Sequence, residues 1–373
     1  DQTRLLADAG LPRVRVVRHA NNVGFLQNCN VAAEHAKGSY IVLLNNDTVT
    51  LPGWLDELIG TLKADPKVGF VGSKLLYANG ALQEAGGIVW QDGSAWNWGR
   101  NQDPRDPRYC YAREVDYCSG ASIALPSDVW RQLGGFDGAT YENSYYEDVD
   151  LAFRVREEGY KVIYQPMSAL VHFEGVSSGV DTTAGTKKYQ VANGERFLSR
   201  WRDILKTHRP NAVEPLKESE RGIKGRLLVI DAVTPTPDHD AGSLVMMETI
   251  QSFQACGWRV SFVPEDNFAH LPVVTSRLQR VGIETLYWPT YRSVDEILAK
   301  RGNEFDIVLI SRVGPASKHL STVRSRAPDA KVIFNTVDLH FLREQREAQF
   351  SKNSEAIKKA ERTRTIELQA VVE

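Results

Sequence analysis

Apolar positions along the chain alternate over residues 13–17, where Val14, Val16 and Val17 are spaced by Arg13 and Arg15, and this predicts a short strand. A second run, Ile41, Val42, Leu43 and Leu44, is continuous rather than alternating, the pattern of a strand covered on both faces in a parallel α/β sheet. A short helix is expected over residues 1–9, and another from near Gly24 until Gly38 closes it. Trp54, Leu55, Leu58, Ile59 and Leu62 recur at helical spacing behind Pro52, which suits a first helical position. Residues 68–71 read as a strand and residues 75–117 as irregular. A strand then leads into a helix over 128–133, and a further helix starts at the acidic run Glu147, Asp148, Val149, Asp150 and continues to Gly159. Strands at 161–165 and 169–173 are separated by Pro166, and residues 189–205 form an amphipathic helix with Phe197, Leu198, Trp201 and Leu205 inward.

Residues 208–224 mix prolines with charges and read as a linker. Beyond them strands at 226–230, 259–263, 283–287, 307–310 and 332–334 alternate with helical stretches, as in a Rossmann-like α/β unit. No G-x-G-x-x-G accompanies them, so dinucleotide binding is not supported. Asp338, His340, Arg343 and Arg346 behind the last strand read as helix capping and surface charge. The expected organisation is a first domain over 1–207, a linker over 208–224 and a second unit over 225–373.

Composition narrows the class. The 373 residues are 42% apolar and 25% charged with a formal net charge of −2, which suits ordinary folded domains and lacks the basic footprint of a nucleic-acid partner. Cys29, Cys110, Cys118 and Cys256 show no paired spacing and read as reduced thiols of a cytoplasmic protein. There is no signal peptide and no run long enough to span a membrane. The chain opens without Met inside an expected helix and reads as a fragment of something longer.

Candidate chemistry gathers at a few places. Asn45, Asn46 and Asp47 stand where the apolar strand ends, the location at which ligands bind in parallel sheets, and their oxygens suit Mg²⁺ or Mn²⁺. Asp47 as a cap for the next helix is an equal reading of that stretch alone. Asn22, Gly24 and Asn28 lie in an amide-rich turn into a helix, a setting for anionic groups, although loop chemistry would also explain them. Ser119 and Gly120 leave room for a ligand near the backbone. The helix dipole accounts for one or two acids of the run 147–150 but not for three, so one of Glu147 and Asp148 can face a site while its neighbours cap and brace. His172 would complete a hard-cation site already holding Asp47. Trp90, Trp96, Trp98, Tyr109 and Tyr111 could line a sugar acceptor or plug a core edge, and both readings stand.

In order, N-x-G-F at 22–25 with Asn30 behind it, L-N-N-D at 44–47, G-G-F-D at 134–137, E-D-x-D at 147–150 and His172 make the first 205 or so residues resemble an inverting family 2 glycosyltransferase of the GT-A fold, rhamnosyltransferase-like. The resemblance implies Asp47 as metal ligand with Asn45 in place of a first carboxylate, Asp148 as general base with Glu147 beside it, and His172 as a further ligand. Donor contacts would come from Asn22, Gly24, Asn28, Asn45, Asn46, Ser119 and Gly120. The implied partners are a nucleotide diphospho-sugar donor and a polysaccharide or lipid-linked saccharide acceptor, at the cytoplasmic face of the cell membrane. Two separated acidic sites are what inverting transfer needs, one for the acceptor proton and one for the departing diphosphate.

The resemblance also implies that the fold's first strand and its base-reading acid lie upstream of Asp1, with Asp1 and Thr3 left from the next loop. The unit after 225 resembles more loosely the N-terminal half of a GT-B glycosyltransferase, through D-H-D-A-G-S at 238–243 and D-L-H-F-L-R-E at 338–344. The rival reading is a non-catalytic carbohydrate-binding or scaffolding fragment of a polysaccharide-assembly protein.

Overall fold

A computed structural model of the chain describes residues 9–10, 12–173, 188–351 and 353–372. It divides into two units, Asp1–Gln102 with Glu114–Ser219, and Asp103–Arg113 with Glu220–Glu373. Among the described residues no helix is long and apolar enough to cross a membrane.

The first unit begins with α1 (Gly24–Glu34), β1 (Tyr40–Leu44), β2 (Thr48–Thr50), α2 (Trp54–Ala64), β3 (Val68–Leu76) and β4 (Leu82–Glu84). A two-stranded hairpin, β5 (Gly87–Val89) with β6 (Ala95–Asn97), precedes β7 (Ser122–Pro126), α3 (Ser127–Leu133), α4 (Glu147–Glu157), β8 (Lys161–His172) and α5 (Lys188–Leu205). The main strand path is β1-β7-β3-β8-β2, with β4 paired to β3. β3 and β8 run parallel, whereas β7 is antiparallel to both β1 and β3. Leu58 and Leu62 of α2 close one face over Val68 and Val71 of β3 and Ala124 of β7.

Several expectations need correction. β1 is antiparallel to β7, and only Ile41 of it is buried. Both of its faces are nonetheless used, since Tyr40 and Val42 pack against the α2 cluster while Ile41 alternates to the opposite face. Residues 14–19 form no strand, and Val14 is exposed: alternation makes a strand only where a partner strand lies alongside. Pro52 sits in the turn before α2, which starts behind Gly53 at φ +81°. Pro166 interrupts nothing, because β8 is one strand whose register jumps from Ser73↔Gln165 to Lys74↔Ala169, and the proline falls in the bulge, where no ladder donor is needed. The helix expected over residues 1–9 lies almost entirely outside the described residues, as do Asp1 and Thr3.

The stretch read as a linker is packed. The His208 ring nitrogen Nδ1 lies 2.6 Å from the Val89 carbonyl, and buried Glu218, at the end of a helical turn over Pro215–Glu218, receives Arg209 at 3.1 Å.

The second unit is a parallel sheet of β9 (Gly225–Asp231), β10 (Trp258–Pro264), β11 (Ile283–Thr285), β12 (Ile307–Ser311) and β13 (Lys331–Asn335), in the order β11-β10-β9-β12-β13. Its helices are α6 (Ala241–Ala255), α7 (Pro272–Arg280), α8 (Val294–Arg301), α9 (Val313–Arg326), α10 (His340–Ser351) and α11 (Ser354–Val372). Strand residues alternate between two cores: Leu227, Val229 and Leu309 meet α6 and α7, while Leu228, Ile230 and Ile310 meet α8 and α9. In the D-H-D-A-G-S loop Asp240 caps α6 by accepting from the Ser243 N–H at 2.8 Å. Near the D-L-H-F-L-R-E run, Glu367 accepts the backbone N–H groups of His340 and Phe341, and Arg343 pairs with Asp338, so capping and surface charge account for these residues. Tyr109 and Tyr111 belong to this unit, where the Tyr111 hydroxyl donates to Glu220 at 3.1 Å.

Candidate active site

The β2–β8 ladder sets the first half of the site. Thr48 pairs with His172, and the Phe173 N–H donates to the Asp47 carbonyl, so the two side chains at the ladder's end meet with His172 Nε2 3.4 Å from Asp47 Oδ1. On its other side the imidazole Nδ1 donates to Gln83 Oε1 at 3.2 Å. Gln83 is buried on β4 and holds the ring with Nε2 turned toward Asp47. An imidazole nitrogen and a carboxylate oxygen 3.4 Å apart are spaced as two neighbouring ligands of one divalent cation. Among the described residues no set of three or more His, Cys, Asp or Glu side chains is arranged to hold a metal alone, so ligand oxygens or water would complete the shell.

The second half is the start of α4. Asp148 Oδ2 accepts the Gly120 N–H and Oδ1 accepts the Val149 N–H, both at 2.8 Å, which holds the carboxylate in one orientation. Burial raises its pKa above 3.8, and those two N–H groups act against the rise. Glu147 is 6% exposed, and its Oε2 has no hydrogen-bond partner. Burial first, and the charge of Asp148 second, push Glu147 well above 4.5. Two adjacent carboxyl groups cannot easily ionise together, and the backbone donors on Asp148 favour charge there over Glu147.

Asp150, the third acid, is a brace. Fully buried, it accepts from the Tyr141 hydroxyl at 3.0 Å, Trp201 Nε1 at 2.9 Å and Arg154 Nε at 2.7 Å. Arg154 also donates to the carbonyls of Leu133 and Gly135, and Asn30 grips Phe136 through both of its backbone polar groups. The spaced motifs G-G-F-D, E-D-x-D and Asn30 are thus one clamp that sets the angle at which α4 presents Asp148.

One cavity of about 950 Å³ joins these pieces. Of the residues expected at the site, Asn22, Gly24, Asn45, Asp47, Ser119, Gly120, Glu147, Asp148 and His172 line it. Asn28 and Asn46 do not. Asn28 is exposed on α1, and Asn46 is exposed in the turn next to Asp47. Gly24 has φ +78°, and a side chain there would press on Asn143, whose carbonyl receives the Phe25 N–H. Reasoning from sequence missed Tyr77, Gln83, Arg100, Asn143 and Gln190, which also line the cavity. Of these, Gln83 is bonded to His172 and Asn143 lies against Gly24, and nothing in their spacing along the chain shows either contact. The four cysteines form no disulfide, and burial first, with Glu147 second, raises the Cys29 thiol to about 12.

Residues 2–197 match the family described as glycosyltransferase like family 2. The chain belongs to that family. Among curated relatives of this family 2 chain, the O-antigen biosynthesis protein RfbC of Myxococcus xanthus is 34% identical over 158 residues, 41% of this chain and 12% of RfbC. The uncharacterized protein y4gI of Sinorhizobium fredii is 28% identical over 202 residues, 52% of this chain and 22% of y4gI. The N-acetylglucosaminyl-diphospho-decaprenol L-rhamnosyltransferase of Mycobacterium tuberculosis is 23% identical over 236 residues, 55% of this chain and 75% of the relative. The match therefore spans under a quarter of the first two relatives and three quarters of the third. Among solved structures, GalNAc-T7 with UDP, GalNAc and Mn²⁺ superposes at a TM-score of 0.43 and 16% identity, covering 55% of this chain and 40% of its own, too distant to bear on the site.

Proposed function

We propose that the first unit is an inverting glycosyltransferase of GT-A type that moves a sugar from a nucleotide diphosphate donor to a hydroxyl of a saccharide acceptor, polysaccharide or lipid-linked. The observation carrying this reading is the pairing, within one cavity, of a backbone-oriented carboxylate at Asp148 with the facing donors of Asp47 and His172. Asp148 takes the proton of the acceptor hydroxyl as that oxygen bonds to the anomeric carbon and the bond to the diphosphate breaks. Glu147 stays neutral beside it and keeps the charge on Asp148. Asn22, Gly24, Asn45, Ser119 and Gly120 border the donor.

A divalent metal, Mg²⁺ or Mn²⁺, held by Asp47 and His172 would supply positive charge for the departing diphosphate. For the second unit, the all-parallel strand order with helices on both faces supports a Rossmann-like reading. Calorimetry with UDP and GDP, with and without Mn²⁺, tests the donor half of the proposal on the protein and on Asp47→Ala. Metal-dependent nucleotide binding that Asp47→Ala abolishes is expected; a protein that binds neither nucleotide with Mn²⁺ present is not acting in this way.

A further inference from the structure

We propose that the indole of Trp96 is the platform on which the acceptor sugar of the first unit lies, so that the acceptor class is a pyranoside with an apolar ring face. The inference rests on the glycosyl-transfer reading above and adds the side of the cavity from which the acceptor enters.

Trp96 is the one tryptophan that lines the cavity among the described residues, and it is 39% exposed, whereas Trp90 is fully buried behind it. The two indoles meet edge to face with centroids 4.9 Å apart, so Trp96 is backed by a rigid ring and its exposed surface is pre-ordered. An exposed tryptophan held in one orientation in a concave polar site suits a flat ligand with one apolar face, because a mobile side chain would lose more entropy on binding.

The hairpin carrying Trp96 is fastened beside the base. Its turn accepts the Tyr146 hydroxyl at the Gly93 carbonyl at 3.2 Å, and Tyr146 lies two residues before Asp148. Asn97, next to Trp96, accepts the Tyr117 hydroxyl at 3.0 Å, and three residues beyond Tyr117 the Gly120 N–H holds Asp148. In an inverting displacement the acceptor approaches opposite the leaving nucleotide, so a wall tied to the base belongs to the acceptor. Orphaned Glu147 Oε2, on the same stretch as Tyr146 and Asp148, offers a partner for a sugar hydroxyl near the reacting one.

The test is saturation-transfer NMR on the full chain with methyl glycosides of glucose, galactose, mannose, rhamnose and N-acetylglucosamine, comparing the parent, Trp96→Ala, Trp96→Phe and Trp288→Ala. Trp288 is 62% exposed in the second unit and controls for unspecific stacking. Calorimetry with UDP or GDP and Mn²⁺ accompanies each variant as the check on fold and donor site. At least one glycoside should receive saturation from the parent and from Trp288→Ala, lose it at least fivefold in Trp96→Ala and recover part of it in Trp96→Phe, with nucleotide affinity unchanged throughout. Equal saturation in Trp96→Ala and parent, or nucleotide binding without any glycoside signal from the parent, overturns the inference alone. Loss of nucleotide binding in Trp96→Ala assigns the indole to the nucleobase and also overturns it. A parent that binds neither nucleotide nor glycoside sinks the glycosyl-transfer reading itself.

Discussion

Asp150→Ala separates the bracing acid from the reacting one. The substitution removes a fully buried carboxylate that satisfies Tyr141, Trp201 and Arg154 at 3.0, 2.9 and 2.7 Å. Arg154, itself 7% exposed, would keep its bonds to the Leu133 and Gly135 carbonyls but lose the charge that pairs it. Breaking a buried ion pair from one side costs about 3–5 kcal/mol, and because the three donors share one acceptor group their losses do not add further. For a unit of this size that corresponds to a fall in Tm of roughly 6–20 °C. Asp150→Asn retains an oxygen for Tyr141 and Trp201 but not the charge for Arg154, so it should melt between the alanine variant and the parent. Urea and thermal unfolding, followed by near-UV circular dichroism of the first unit's aromatic residues, measure both. An Asp150→Ala protein within about 1 kcal/mol of the parent would refute the clamp that joins Asn30, G-G-F-D and α4.

Two further outcomes follow from the same geometry. Glu147 has a higher pKa folded than unfolded, so the parent loses stability as pH rises from the ordinary glutamate range toward the folded value, whereas Glu147→Gln does not; the variant should melt with the parent near about pH 4 and above it near about pH 7.5, and equal melting at both would dismiss the neutral buried acid. Gln83→Leu frees the His172 ring and should weaken Mn²⁺-dependent nucleotide binding about 10–100-fold by calorimetry, with unchanged affinity showing that the bond to Gln83 does not orient the imidazole.

Much of the first unit was legible because its chemistry is local. An acidic run at a helix start and an apolar strand ending in amides and an acid both lie where such patterns indicate, and Asp47, Glu147, Asp148 and His172 line one cavity. What could not be read was long-range. Whether Asp150 faces the site or the core depends on Tyr141, Arg154 and Trp201, which only packing brings together. Asn28 and Asn46 looked like their neighbours, yet neither lines the cavity. Pro166 looked like a strand terminator, because a bulge is visible only against its partner β3. The grouping of Asp103–Arg113 with the second unit has no local signature, and the irregular aromatic stretch resolves only in three dimensions into one buried indole, one half-buried indole, one cavity-lining indole and two tyrosines of another unit.

The central claim is that Asp148 removes the acceptor proton, and the direct measurement is sugar transfer by Asp148→Asn beside the parent, across a panel of nucleotide diphospho-sugars with Mn²⁺ and the glycoside that Trp96 binds. The amide keeps the shape and an acceptor oxygen for the Gly120 N–H but cannot take a proton. The account predicts a fall in kcat of about 10²–10⁴-fold with nucleotide affinity unchanged; transfer by Asp148→Asn at the parent's rate would contradict it.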